Sequence, residues 1–345
     1  MNGPSRTLIS RRRMLMLIAG VALTVGSTGG AIARRQAFEW QGTALGADAR
    51  LVLVHEDHAA VQAALRLCLA EIERLEAIFS LYRPQSELCR LNRDRLLRYP
   101  SLDMMALLRI ARAVSEASGG AFDASVQPLW QLYADHFRKH PGDPAGPPEL
   151  AIERALKHVH FQRIDIDTTK IRIEPGMALT LNGIAQGYIT DRVAELLRAR
   201  GWPDVLIDLG EVRAIGASPL GTPWTAVIQP PAPATVAPIR LALSQHAMAT
   251  SAGQATVFEA SGHHHHLFSP RDGRSAGQLQ SVSVLAPDAT LADALSTALY
   301  VMPREEMRRL IDAFPAIEAW LVEADGRVVQ LTPTVPLVAS RRLHS

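Results

Sequence analysis

Apolar positions along the chain recur at two different spacings, and the changes of spacing divide it into elements. Leu51-Val52-Leu53-Val54, between Arg50 and His55, is a short unbroken apolar run and predicts a strand over 50–55. Val61, Leu65, Cys68, Ile72, Leu75 and Phe79 then recur at steps of three and four, one apolar stripe that predicts a helix over 59–79. A second helix is predicted from Leu102 to Ser118, stopped by Gly119-Gly120. Ile164 and Ile166, a polar turn over 167–170, then Ile171 and Ile173 predict a hairpin. Tyr188 to Arg200 reads as a helix, with Val193, Leu196 and Leu197 inward and Gly201 as its stop. Val205-Leu206-Ile207 is a buried strand, and 282–285, 317–323 and 328–331 are late strands beside helices near 288–301 and 304–314. Two Pro-rich stretches, 139–149 and 229–238, read as surface loops. There is no internal repeat. Strands and helices interleave through hairpins rather than regular crossovers, which predicts an α+β fold with mixed or antiparallel sheets and packed helices.

Composition narrows the function classes. Of 345 residues, 48% are hydrophobic and 20% charged, a globular balance. Lys+Arg is 36 against Asp+Glu 34, a net charge of +2, so no basic field argues for nucleic acid. The only lysines are Lys139, Lys157 and Lys170, so phosphate contacts fall to Arg, backbone N–H groups or a metal. Cys68 and Cys89 are the only cysteines, which excludes a disulfide framework and a four-Cys zinc site. Cys68 lies on the apolar stripe of a helix and reads as a buried thiol, although the two could pair in an oxidising compartment.

Residues 1–33 have the layout of an export signal. Arg11-Arg12-Arg13 precede an apolar stretch from Met14 to Val25, and Ala31-Ile32-Ala33 is a small-x-small cleavage site. Paired arginines before the apolar run suggest the twin-arginine route and a periplasmic mature protein. An uncleaved signal would leave the protein associated with the inner membrane. Residues 34–345 would form one domain.

Four segments place small and polar residues beside apolar runs: 79–88, 122–130, 181–188, and a last one running from Ala249-Thr250-Ser251 through His263-His264-His265-His266 to Ala292–Thr297. Asp293 and Thr297 are four apart on a predicted helix and share a face. Carboxylate and hydroxyl are hard oxygen donors suited to Mg²⁺, although such a pair also serves as a cap or a surface contact. The glycines of Asn182–Gly187 ahead of a helix free backbone groups for a ligand, or simply make a turn. The four histidines suit Zn²⁺ or Cu²⁺, or a solvated loop.

In this order the segments resemble the ApbE family, the FAD:protein FMN transferases, over nearly the whole mature chain. Trp40–Ala47, Phe79–Leu88 with Leu91-Asn92, Phe122-Asp123 with Pro128-Leu129, Ile184–Tyr188 with Asp191, Asp208–Gly210, Thr250-Ser251, His266–Pro270 and Ala292–Ala298 are similar to successive family motifs. The sequence departs at Leu45, Ala47 and Ala252, at Glu211 where a second Gly is usual, and at Gln186 where the family has Lys. The last change removes a positive charge near the phosphates.

The resemblance implies a T-fold-like architecture and Mg²⁺-dependent transfer of FMN from FAD to a Thr or Ser hydroxyl of an acceptor flavoprotein, with release of AMP. The acceptor would belong to a membrane or periplasmic electron-transfer system. It also implies a metal held by Ala185, Asp293 and Thr297, and His266 as the catalytic residue. Leu45, Ser80, Tyr82, Phe122, Asp123, Asn182, Tyr188 and Leu267 would line the FAD site. A periplasmic FAD-binding protein, or a pyrophosphatase that uses water as acceptor, is the alternative that Gln186 favours. A metallochaperone built on His263–His266 is the third.

Overall fold

The computed structural model describes residues 36–44, 46–229 and 237–334. In chain order the elements are β1 (Ala37–Ala44), β2 (Ala47–Val54), α1 (His58–Phe79), α2 (Glu87–Asp94), β3 (Leu96–Arg98), α3 (Leu102–Ala117), α4 (Gln127–Lys139) and α5 (Glu149–Leu156). Then come β4 (Asp165–Ile166), β5 (Lys170–Arg172), α6 (Ala185–Ala199), β6 (Val205–Asp208), β7 (Val212–Ile215), β8 (Trp224–Ile228), β9 (Ile239–Leu243) and β10 (Ala247–Ala252). β11 (Leu279–Ala286), α7 (Ala289–Val301), α8 (Arg304–Ala313), β12 (Glu318–Glu323) and β13 (Val328–Leu331) complete the chain. The export signal expected at 1–33 and Leu45 lie outside the described residues.

The architecture is α+β. An eight-stranded sheet runs β1-β2-β6-β7-β10-β11-β12-β13, and every pairing in it is antiparallel. Its central strands are buried on both faces, whereas the edge strand β1 alternates exposed positions, and this explains the unbroken apolar run at Leu51–Val54 of β2. Leu51 and Leu53 point into the main core beneath the helices, while Val52 and Val54 join Leu206, Val212 and Trp224 beneath the β8–β9 hairpin. β3, β5 and β4 form a small separate sheet.

Helix ends follow local chemistry. The Asp57 carboxylate caps α1, accepting from Ala59 N–H at 2.8 Å, and Asp288 caps α7, accepting from Leu291 N–H at 2.8 Å. α7 lies against β10 and β11 on one side and against α6 on another, and α6 packs on α1. This stacking fixes where the chemistry sits. Cys68 is a free buried thiol whose pKa burial pushes up to about 12; Cys89 is also unpaired, and its Sγ donates to Ser80 O at 3.4 Å.

Candidate active site

α6 starts without a capping side chain of its own. The turn before it closes through backbone, with Ala185 N–H donating to Leu181 O at 2.7 Å. The Gly187 N–H donates to Asp293 Oδ2 of α7 at 3.1 Å. A helix N-terminus carries partial positive charge, so a carboxylate is favoured there. Two glycines make this approach feasible. A Cβ on Gly187 would meet Ala289 O at 2.2 Å and Asp293 Cβ at 2.9 Å; a Cβ on Gly183 would meet Thr297 Oγ1 at 2.9 Å and Phe122 Cε2 at 3.5 Å. Ala185 lies between these two contacts. Asp293 and Thr297 of α7 therefore lie against the turn that carries Ala185, about a hundred residues earlier in the chain, in one corner with Phe122 beside it.

The donor set fits a hard divalent cation. A main-chain carbonyl, a carboxylate and a hydroxyl offer only oxygen, which suits Mg²⁺ and not a thiophilic metal. The missing Cβ atoms at 183 and 187 let α7 approach the start of α6 and the turn before it closely.

A second tie holds the corner rigid. Asp191 of α6 accepts from Ala289 N–H and Thr290 N–H at 2.8 Å each and from Thr290 Oγ1 at 2.5 Å, and it pairs with buried Arg213 of β7. Asp191 is therefore a structural residue: it caps α7 and neutralises the Arg213 guanidinium. Among the described residues the Nε of Arg213 has no hydrogen-bond partner.

The four consecutive histidines do four different things. His266 Nδ1 lies 3.1 Å from Thr256 O, and its N–H donates to the same oxygen at 3.1 Å. A carbonyl only accepts, so Nδ1 carries the proton and Nε2 is the basic nitrogen. His265 is buried; its Nε2 lies 2.8 Å from Ala276 O and its Nδ1 accepts from Leu267 N–H at 3.3 Å. Burial holds its pKa below the usual histidine value, so it stays neutral. His264 Nε2 is 3.2 Å from Pro144 O, and His263 Nδ1 is 2.7 Å from Ser261 Oγ. Among the described residues no group of three His, Cys, Asp or Glu side chains is placed to hold a metal.

The other expected site residues divide. Phe122 is buried at the corner. Asp123 is buried too, and its oxygens accept from Ser125 N–H and Oγ–H at 2.7 and 2.6 Å and from Phe161 N–H at 3.1 Å, which orders the loop carrying Phe122. Leu267 is buried beside His266. Ser80 is buried at the end of α1, whereas Tyr82 is 71% exposed and Asn182 is exposed at the mouth of the turn. Tyr188 points at the ends of α1 and α3: its ring meets Phe79 edge-on at 5.5 Å and its hydroxyl donates to Asp103 at 2.8 Å. Gln186 is buried, and its Nε2 lies 3.5 Å from Leu209 O. Gly210, at φ +116°, has no room for a Cβ under that amide, the nearest atom being 2.4 Å away. Sequence reasoning passed over Ser296 and Asn92 as positioning groups. The Asn92 side chain clamps Leu179 just before the 181–187 turn, donating to its carbonyl at 2.8 Å and accepting from its N–H at 2.7 Å.

A sequence model of the ApbE family matches residues 45–321. The FAD:protein FMN transferase of Treponema pallidum is 30% identical over 333 residues, covering 88% of this chain and 89% of that protein. The Haemophilus influenzae FAD:protein FMN transferase is 30% identical over 250 residues, covering 69% and 72%. The crystal structure of the ApbE protein of Thermotoga maritima superposes with a TM-score of 0.74 at 27% identity, over 86% of this chain and 97% of that one. The flavin transferase ApbE of Vibrio cholerae has the same fold, with a TM-score of 0.75 at 21% identity over 87% and 98%.

Proposed function

Because the chain belongs to the ApbE family, we propose that it is an FAD:protein FMN transferase whose reaction is carried out in the corner between α6 and α7. Its substrate is FAD and its partner a flavoprotein acceptor. The oxygen of an acceptor Thr or Ser hydroxyl attacks the phosphorus of the FMN half of FAD. The P–O bond to the AMP half breaks, AMP leaves, and the hydroxyl proton passes to a base. His266 is the base: its Nδ1–H is committed to Thr256 O, which directs Nε2 to take the proton.

The observation that carries the reading is the Gly187–Asp293 contact. The α6 N-terminus would favour a diphosphate, yet a carboxylate already sits there. Two anions at one helix end repel unless a cation lies between them. Ala185, Asp293 and Thr297 would hold Mg²⁺, which, when bound, neutralises the diphosphate oxygens and stabilises the departing AMP. Phe122, Leu267 and Ser80 supply apolar and polar surface for the flavin and adenine rings; Tyr82 and Asn182 belong to the same proposed lining. Asp123 and Tyr188 act one step back, by ordering Phe122's loop and by fixing α6 on α1 and α3. The arginine pair and apolar run at 11–25 support export to the periplasm, where the acceptor would be an electron-transfer flavoprotein.

The test is mass spectrometry of a Thr-containing acceptor incubated with protein, FAD and Mg²⁺. Covalent FMN on the acceptor with stoichiometric AMP is expected. FMN and AMP released without an adduct would instead identify a pyrophosphatase.

A further inference from the structure

Three hydroxyls run in a line from the interior to the corner, and their proton order can be deduced. Ser296 of α7 is fully buried, Ser251 of β10 is buried, and Thr297 is half-buried at the site. Ser296 Oγ donates to Asp293 O at 2.9 Å, a bond with only one possible direction because a carbonyl cannot donate. Ser251 Oγ lies 2.7 Å from Ser296 Oγ and 3.2 Å from Thr297 Oγ1. Each hydroxyl has one proton. With the Ser296 proton on the carbonyl, Ser251 must donate to Ser296. With the Ser251 proton so used, Thr297 must donate to Ser251.

We infer that Ser251 is a positioning residue for the divalent cation: as acceptor of the Thr297 hydroxyl proton, it turns the Thr297 lone pairs toward the ion. The inference rests on the cation site proposed above. A hydroxyl whose proton pointed into the corner would repel a cation; one whose proton is held behind it presents oxygen alone. The relay also ties metal to fold, because its far end is the carbonyl of Asp293, the residue whose carboxylate forms the other side of the site. The neighbouring pair across β10 and β11, Thr250 Oγ1 to Ser283 Oγ at 2.8 Å, is a separate hydroxyl contact and serves as an internal control.

The experiment is a titration of Mn²⁺ into FAD-free protein, with bound ion read by electron paramagnetic resonance and folding checked by thermal melting. Loss of a group that orients a ligand lowers metal affinity by about 10–100-fold. Ser251→Ala is expected at the low end, about tenfold, because the freed Thr297 hydroxyl can re-pair with the Asp293 carbonyl one turn back. Ser251→Thr, which keeps the hydroxyl, is expected within about threefold of the unsubstituted protein, as is Ser283→Ala. Wild-type affinity in Ser251→Ala overturns the inference. Equal loss in Ser251→Ala and Ser251→Thr also overturns it, by making packing rather than the hydroxyl responsible. Asp293→Ala and Thr297→Val separate this from the underlying reading: if both bind Mn²⁺ as before, the cation site itself is misplaced.

Discussion

Replacing Gly187 by Ala separates stability from catalysis. A methyl there would sit 2.2 Å from Ala289 O, where ordinary contact begins at 3.4 Å, so α6 and α7 must move apart by about 1.2 Å at their closest point. The obstacle is backbone and cannot rotate away. Overpacking of this kind costs about 1–3 kcal/mol, but Ala in place of Gly within a helix returns about 1 kcal/mol. The net loss is about 0–2 kcal/mol, a fall in Tm of less than about 8 °C for a domain of this size. The chemistry is more sensitive. The same displacement stretches the 3.1 Å bond from Gly187 N–H to Asp293 and widens the oxygen cage, and misplacement by about 1 Å can cost about 100-fold in rate. The assay pairs thermal melting with the rate of FMN transfer as Mg²⁺ is titrated. The expected variant is folded, about 100-fold slower, and needs more Mg²⁺ for half-maximal rate. A variant that transfers FMN at the unsubstituted rate with an unchanged Mg²⁺ requirement would refute the coupling of helix spacing to catalysis.

Other substitutions probe separate parts. His266→Ala should lower the transfer rate by about 10²–10⁴-fold while FAD affinity, measured by flavin fluorescence, stays within about threefold; an equal loss in both would make His266 a binding residue. Asp191→Asn removes the ion-pair partner of buried Arg213 and leaves it the through-space attraction of Asp288, so urea melts should show a loss of about 3 kcal/mol; a loss below about 1 kcal/mol would remove the pair from the set of structural ties. His265 is held neutral by burial, with a folded pKa below its unfolded value of about 6.5. Its contribution is therefore present above about pH 6.5 and is lost as pH falls through the folded pKa. His265→Gln should flatten the decline of Tm between about pH 6.5 and 5, and an identical slope in both proteins would assign the acid sensitivity elsewhere.

The parts of this fold that read directly from the chain are those whose neighbours in sequence are also their partners in space. α1 shows its apolar stripe, and β2 shows an unbroken run because both of its faces are covered. α6 is different. Its first turn contains Gly187 and no cap, so the periodic pattern starts only at Tyr188, while the structure begins the helix at Ala185. The cap is Asp293, 106 residues away, and nothing local announces it. β10 is silent in the sequence for a related reason. Ala-Met-Ala-Thr-Ser-Ala offers little bulk, because α7 packs so closely on it that small residues are needed. α4 carries a signal too, with Leu129, Tyr133 and Phe137 four apart behind a Pro at its start, although no helix is predicted there from the sequence. At the site, motif order names Ala185, Asp293 and Thr297 as a set, and the glycine contacts bring Asp293 and Thr297 against the turn that carries Ala185. It did not distinguish residues aimed at the corner from those that brace it, such as Asp191, Asp123 and Tyr188, since that difference lies in side-chain partners from distant elements.

The most direct measurement is a crystal structure with FAD and Mn²⁺ bound, using anomalous scattering to locate the ion. One peak is expected between the start of α6 and the middle of α7, in contact with the Ala185 carbonyl, Asp293 and Thr297 and with the flavin dinucleotide's diphosphate. A peak at His263–His266, or a diphosphate bound away from the α6 N-terminus with no ion beside Asp293, would contradict it.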